Sequence, residues 1–175
     1  MNSRKWELTE PGLSIMMFRG MHAIRLDAKG RMVLPTRYRA VLQKNMDEIT
    51  ETTQVPLVIT IDPETPCLLG YPLSEWESIE QKIEALPSFH PAARRIQRLL
   101  MGHATEVEVD TQGRILIPGL LREYASLEKN IVVIGQGKKF ELWEQAHWNT
   151  ARDQWLAQEE EIESQWPLAL QSLSL

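Results

Sequence analysis

Arginine and lysine side chains dominate a short stretch near the start of the chain, and their characteristic chemistry is the binding of anions. Between residues 17 and 45, seven basic side chains accompany a single acidic one, an excess of six positive charges. The seven are Arg19, Arg25, Lys29, Arg31, Arg37, Arg39 and Lys44. Phosphate contacts supply much of the affinity of proteins for nucleic acid. The stretch therefore predicts a nucleic-acid-binding surface, although the whole chain carries a net charge of −5.

The centre of this stretch is a motif that the chain carries twice. Residues 27–35 and 110–118 share the frame D-x-x-G-R-φ-φ-φ-P, in which φ is apolar. We expect each aspartate to accept hydrogen bonds from the amides of a tight turn, and each glycine to supply a positive φ. Repetition of this kind indicates two copies of one structural unit. The predicted structural residues of the motif are Asp27, Gly30, Asp110, Gly113 and Arg114.

The arginine of each motif has two interpretations. It contacts DNA from the turn, or it forms a salt bridge with the aspartate of its own motif and fixes the turn. Residues 104–124 carry two basic and four acidic side chains, so the second copy lies in acidic surroundings. Local charge therefore favours a DNA contact for Arg31 and a structural salt bridge for Arg114.

Four further cations complete the predicted DNA-binding set. Lys29 lies at the tip of the turn, from which a long side chain reaches a phosphate or a base edge. Arg25 alternates with apolar neighbours, so it faces solvent if those neighbours pack in the core. Arg37 begins a predicted helix, where a phosphate contact, a solubilising charge and an intersubunit pair all fit. The predicted DNA-binding residues are Arg31, Lys29, Arg25, Arg19 and Arg37.

A second basic cluster lies in the middle of the chain, at Arg94, Arg95 and Arg98. These arginines share one face of a predicted helix over residues 91–101. Pairing with a nearby acidic side chain or with a neighbouring subunit is favoured over a DNA contact, because oppositely charged side chains on packed helices pair readily. The candidate acidic partners are Glu77, Glu80 and Glu84.

Enzyme and metal signatures are missing from the sequence. None of the four histidines stands at metal-ligand spacing with another ligand type, and Cys67 is the only cysteine. A single cysteine excludes an internal disulfide framework and favours the reducing cytoplasm. The glycines at 135 and 137 are interpreted as a turn between strands and not as a phosphate loop. We predict no catalysis, no metal and no cofactor, and no membrane span, since no apolar run reaches about 18–20 residues.

The motifs lie on a predicted alternation of short strands and helices. Hairpins are expected over 21–34 and 105–117, further strands over 57–61, 67–71, 131–134 and 140–143, and helices over 35–45, 74–86, 91–101, 118–126 and 144–166. A capping-box pattern begins at Ser74. The predicted organisation is an N-terminal extension (1–16), unit one (21–75), a helical linker (76–103), unit two (104–147) and a helical tail (148–175).

Several of these segments together resemble the MraZ family of bacterial transcriptional regulators and, more broadly, the AbrB/SpoVT swapped-hairpin DNA-binding fold. The resemblance covers about residues 17–148. Beside the twin motifs it rests on Met17–Gly20, Pro35–Arg39, Cys67–Leu69, Glu75-Trp76, Arg94–Arg98 and Gly102–Ala104. It implies an α+β fold in which two SpoVT-AbrB-like hairpin units interleave as a pseudo-twofold barrel, with a helical linker pair and a C-terminal helix. The sequence departs from the family in its first 16 residues, where Met16 or Met17 is an equally good start, and in a long loop at 45–56.

The resemblance also implies a function. Such regulators assemble into homo-oligomeric rings and bind direct repeats in double-stranded DNA upstream of the division and cell-wall gene cluster, which contains their own gene. They usually repress it, in the cytoplasm and at the nucleoid, and in the first copy Arg31 maps onto the DNA-binding face. The alternative function is an oligomeric protein-interaction scaffold without DNA binding. The charge difference between the two copies separates these hypotheses, because a scaffold has no need of it.

Overall fold

The computed structural model describes residues 17–44 and 55–158. The predicted extension at 1–16, nearly all of the loop at 45–56 and the end of the tail lie outside these residues. The first elements are β1 (Met21–Arg25), β2 (Arg31–Val33), α1 (Thr36–Lys44), β3 (Val55–Ile61), β4 (Leu68–Pro72) and α2 (Leu73–Glu84). Next come α3 (Pro91–Ile96), which continues as a π-helical turn over Gln97–Met101, and then β5 (Thr105–Val109), β6 (Arg114–Leu116), α4 (Gly119–Tyr124), β7 (Asn130–Gln136), β8 (Lys139–Glu144) and α5 (Gln145–Ala157).

The element order of β1 to α2 therefore recurs in β5 to α5. All strand pairing is antiparallel, in a six-stranded sheet of order β1-β7-β8-β4-β3-β5 and a separate ribbon of β2 and β6. When each strand is replaced by its counterpart in the other copy, the sheet order reads the same from the opposite edge. The sheet is thus symmetric about its central pair, β8 and β4. The predicted α+β class is confirmed.

The predicted closed barrel is wrong in this structure, because the six-stranded sheet ends at β1 and β5. In addition, the two strands of each predicted hairpin do not pair with each other. β1 pairs with β7, and β2 pairs with β6, so the strands on either side of each turn have different partners. Each turn is closed at its base, where the amide of Asp27 donates to the carbonyl of Arg31 and that of Asp110 donates to the carbonyl of Arg114.

One apolar core holds the two copies together. Alternate residues of β3 and β7 point to the same side of the sheet, where Met32 and Ile115 of the ribbon also lie buried. Helices α1 and α4 contribute to the same core through Tyr38 and Leu121. Burial of this many apolar side chains is the dominant favourable term for folding. The turns are therefore fixed to a rigid body by the strands that leave them.

The other side of the sheet carries a smaller aromatic cluster. Trp143 of β8 packs against Trp148 and Trp155 of α5, with ring centroids 5.7 and 6.0 Å apart. Helix α5, which lies within the helix predicted over 144–166, therefore packs onto the sheet through these two residues. No helix in residues 17–44 and 55–158 is long and apolar enough to cross a bilayer.

The capping-box prediction at Ser74 is wrong. Helix α2 begins at Leu73, directly after β4, and Pro72 is its N-cap residue without a side-chain cap. Ser74 already lies inside the first turn, where its carbonyl accepts a hydrogen bond from the Ser78 hydroxyl. Proline is tolerated at a helix start because the first amides have no partner within the helix.

Candidate nucleic-acid interface

Asp27 organises the first turn with both of its carboxylate oxygens. Its Oδ1 accepts hydrogen bonds from the amides of Lys29 and Arg31, each at 2.9 Å. Its Oδ2 accepts from Nε of Arg31 at 2.8 Å. Gly30 closes the turn with φ +82°, in the left-handed region that favours glycine. The turn expected from the sequence is present, and Asp27 holds the arginine side chain as well as the backbone.

The second turn repeats this geometry. Asp110 accepts from the amides of Gln112 and Arg114, each at 2.9 Å, and from Nε of Arg114 at 2.9 Å. Gly113 has φ +76°. The side chains of Arg31 and Arg114 are 36% and 34% exposed. Hydrogen-bond geometry and exposure therefore do not distinguish the two arginines.

Both aspartates are held in their charged form. The hydrogen bond from the Arg31 amide, followed by the one from its side chain, lowers the pKa of Asp27 to about 2. The amide of Arg114 likewise lowers the pKa of Asp110 below its usual value. A carboxylate that accepts several N–H groups is stabilised as the anion. Each arginine is thus paired throughout the physiological pH range.

The ribbon of β2 and β6 joins the two turns. The amide of Leu34 donates to the carbonyl of Gly113 at 2.8 Å, and that of Ile117 donates to the carbonyl of Gly30 at 2.9 Å. In the ladder Arg31 lies opposite Leu116, and Val33 lies opposite Arg114. Since Met32 and Ile115 between them are buried, these four side chains share the outer face of the ribbon. The structure brings both motif arginines onto one small surface.

Two arginines that the sequence did not single out as turn residues support the turns from below. A Cβ on Gly30 would lie 2.6 Å from Nε of Arg122, and one on Gly113 would lie 2.6 Å from Nη1 of Arg39. Each arginine comes from the helix of the other copy, so the contacts are reciprocal. The signal in the sequence is that both arginines and both glycines stand 83 residues apart. Each glycine is required for its φ and for this close approach.

The remaining predicted DNA contacts divide into two groups. Lys29, Arg25 and Arg37 are exposed, and Arg25 points away from the core, as its alternation predicted. Lys29 and Arg25 flank the first turn directly. Arg19 is also exposed, but it lies at the far end of β1, where Phe18 bridges Gly137. A five-residue strand spans about 16 Å, so Arg19 and the turn do not form one compact cluster.

The salt bridge to Asp27 uses only part of the hydrogen-bonding capacity of Arg31. Arginine has five N–H groups, and the salt bridge to Asp27 occupies the one on Nε. The terminal amino groups of Arg31 make no hydrogen bond or ion pair to the described residues. The two interpretations of this arginine are therefore compatible, because the salt bridge fixes a side chain whose outer edge is available for a base or phosphate.

The intrachain pairing predicted for the second basic cluster is not observed. Arg94, Arg95 and Arg98 are exposed and form no ion pair with a carboxylate in the described part of the chain. Glu80, one of the expected partners, instead accepts a hydrogen bond from the Trp76 indole at 3.0 Å. Helix α3 and the π-helical turn that continues it thus leave the three arginines exposed to solvent.

Among the described residues, one group has a composition that suits a metal ion. Ligand atoms of Asp62, Cys67 and Glu141 lie within 4.8 Å of one another. Burial raises the pKa of the Cys67 thiol to about 12, so the thiol is protonated. Glu141 already accepts a hydrogen bond from the indole of Trp143 at 2.8 Å. The Cys67 thiol donates to Oδ2 of Asp62 at 3.9 Å, so each member of the group has a hydrogen-bond partner within the protein.

Comparison with known proteins gives a consistent family. The family model described as "MraZ protein, putative antitoxin-like" matches residues 17–99 and 100–165. A protein of Coxiella burnetii (strain Dugway 5J108-111) named "Transcriptional regulator MraZ" is 56% identical over 159 residues, which are 91% of this chain and 100% of the relative. Proteins of the same name from Legionella pneumophila (strain Corby) and Marinomonas sp. (strain MWYL1) are 51% identical over 159 residues and 52% identical over 143 residues. The Marinomonas match covers 82% of this chain and 90% of the relative.

Proposed function

The chain belongs to the MraZ family, and on that premise we propose that it is a transcriptional regulator that binds specific double-stranded DNA through its first turn. The observation that carries the proposal is the setting of Arg31. Its guanidinium is fixed by Asp27 at the edge of an exposed ribbon, and exposed cations flank it. A fixed guanidinium with free donors suits bidentate recognition of a guanine base.

The surrounding cations have a different role in this proposal. Lys29 and Arg25 enter or border a groove beside Arg31, and Arg37 and Arg19 contact phosphates on either side. Phosphate contacts fix the register of the protein on the duplex without carrying sequence information. Arg114 remains a structural residue that stabilises the second turn, because its exposed neighbours include Glu106 and Glu108.

We further propose that DNA binding requires several subunits. One subunit offers few contacts, and its net charge of −5 repels a polyanion. Subunits joined in a ring present successive first turns to adjacent direct repeats, and linked weak modules gain apparent affinity without new contacts. The arginines at positions 94, 95 and 98, which are exposed and form no ion pair within residues 17–44 and 55–158, favour a contact with an acidic surface of a neighbouring subunit.

The finer family properties belong to the same proposal. The protein represses the division and cell-wall gene cluster and its own gene, and it acts in the cytoplasm at the nucleoid. The reciprocal pairing of β2 with β6 supports a swapped-hairpin arrangement of units 21–75 and 104–147. Residues 76–103 connect these units, and residues 148–175 follow them.

A gel shift with the DNA upstream of the protein's own coding sequence tests the function. We expect wild-type protein to shift this duplex and Arg31→Ala to leave it unshifted, with circular dichroism and oligomer size unchanged. Binding should weaken steeply with salt, because bound cations release counterions from the duplex. A wild-type protein that does not bind this DNA contradicts the proposal and favours the scaffold alternative. Binding with a flat salt response contradicts the proposed phosphate contacts.

A further inference from the structure

The ribbon carries two exposed apolar side chains at equivalent positions, Val33 on β2 and Leu116 on β6. They are 51% and 53% exposed. Exposed β-branched and aliphatic residues on a short strand contribute little to the core. Each apolar side chain has a motif arginine on two sides. Arg31 precedes Val33 by two residues and lies opposite Leu116, and Arg114 precedes Leu116 by two residues and lies opposite Val33.

The surroundings of the two side chains differ. Leu116 lines a groove of about 450 Å³ together with Glu106 and Glu108, whose carboxylates repel a phosphate backbone. Val33 has the same two motif arginines beside it, and its copy carries the exposed Arg25 at the position where the other copy carries Glu108. Of the two apolar positions, the one at Leu116 therefore borders carboxylates that repel DNA, and the one at Val33 is the more favourable for a duplex.

An antiparallel two-stranded ribbon has the dimensions of a major-groove reader. Its strands lie about 4.8 Å apart, and the major groove is about 12 Å wide. In that groove the C5 methyl group of thymine is the apolar feature that distinguishes bases, and apolar side chains recognise it by contact. A valine beside a fixed arginine presents an apolar surface and a bidentate donor to neighbouring base pairs.

We infer that Val33 is a specificity-determining residue that contacts a thymine methyl group next to the base read by Arg31. This inference rests on the proposed function and adds to it a second element of base recognition. The occupant of the apolar surface is the major-groove edge of a duplex. A second copy of the chain seated there is the competing occupant, and the experiment separates the two.

The experiment uses full-length protein and the upstream duplex, prepared once with thymine and once with deoxyuridine, which lacks only the methyl group. Wild-type protein should bind the deoxyuridine duplex at least about fourfold more weakly, the factor that one buried methyl group contributes. Val33→Ser should bind thymine DNA with a similar loss and should no longer distinguish the two duplexes. Leu116→Ser is the matched comparison and should keep the wild-type preference for thymine DNA, whatever its effect on overall affinity.

The outcomes are separable. Equal binding of both duplexes by wild-type protein overturns the inference, although the proposed function stands. A Val33→Ser protein that still prefers thymine DNA has the same consequence. An equal effect of Leu116→Ser overturns the assignment to the first copy. A changed oligomer size in Val33→Ser with unchanged thymine preference identifies a subunit contact instead. If wild-type protein shifts neither duplex, the proposed function itself fails.

Should Val33→Ser fold poorly, equal binding of the two duplexes by wild-type protein still overturns the inference, because that comparison needs no variant. Circular dichroism and oligomer size establish which variants are folded. Val33→Thr, which keeps the branched shape and the strand preference of valine, provides the milder substitution.

Discussion

The first turn has Lys29 at its tip and Arg25 on the strand before it, whereas the second has Gln112 and Glu108 at the same places. Their hydrogen bonds are nevertheless the same, and the Nε–Oδ2 distances of 2.8 and 2.9 Å are nearly identical. The duplicated backbone thus serves as scaffold in both copies. Under the proposed function, the comparison teaches that a D-x-x-G-R motif alone does not make a DNA-binding site, and that its exposed neighbours decide its role.

The largest expected effect separates the two motif arginines. Arg31→Ala should weaken operator binding about 100-fold or more, because a bidentate base contact is worth ~1–3 kcal/mol and every bound subunit loses one. Arg114→Ala should leave binding within about tenfold of wild type. Fluorescence anisotropy with a labelled upstream duplex measures both. Equal losses of DNA affinity in the two variants would contradict the proposed functional difference between the copies.

Stability should show the opposite pattern, with equal effects in the two copies. Gly30→Ala and Gly113→Ala each force an L-residue to a positive φ and displace an arginine from the other copy, so each should destabilise folding by ~1–3 kcal/mol. Urea unfolding monitored by circular dichroism measures the free energy of unfolding. Gly102→Ala is the control, because apart from its chain neighbours and its own helix no described residue has an atom within 4 Å of the added Cβ. A large difference between the first two variants would show that the scaffold is not shared equally.

A smaller effect is expected from exchanging the turn tips. Lys29→Gln places at the tip of the first turn the residue that the second turn has there. It should weaken DNA binding a few-fold, to the same extent for all DNA sequences. It should also lower the dependence of log K on log salt by about one, as expected for one lost phosphate contact. A titration over several salt concentrations measures this slope. An altered base preference in this variant would assign a base contact to Lys29.

The smallest effect concerns pH. Because the folded state lowers the pKa of Asp27 to about 2, its contribution to turn stability is fully present above the ordinary aspartate pKa of about 4 and is lost as pH falls through 2. Carboxyl chemical shifts recorded by NMR should give a midpoint near 2. Asp110 should also titrate below its ordinary value. A midpoint near 4 for Asp27 would mean that the salt bridge is absent in solution.

The local chemistry of the turns follows from the sequence, because it depends on residues within nine positions of one another. The aspartate acceptors, the positive φ of Gly30 and the proline that ends each strand are all present as expected. The local pattern of the motif did not predict the pairing of β2 with β6, because it gives no information on partners far apart in the chain; only the family resemblance implied that the hairpins interleave. A motif that resembles a hairpin therefore predicted its turn correctly and its strand partners wrongly.

Side chains that act across the two copies were the hardest to predict. Arg39 and Arg122 belong to helices, and nothing local indicates that each lies beneath the glycine of the other copy. Arg94 forms no ion pair among the described residues for the same reason, because pairing between α3 and α2 depends on how the helices are oriented on the sheet. Charge counts describe the surroundings of a turn well, whereas they do not predict individual ion pairs.

Site-specific crosslinking from the two turn tips tests the central claim most directly. A photoactivatable group attached to Lys29→Cys or Gln112→Cys, in a protein whose native Cys67 is buried, probes equivalent positions 83 residues apart. Crosslinking to the upstream duplex is expected from position 29 and not from position 112. Equal crosslinking from both positions, or crosslinking from position 112 alone, would contradict the account.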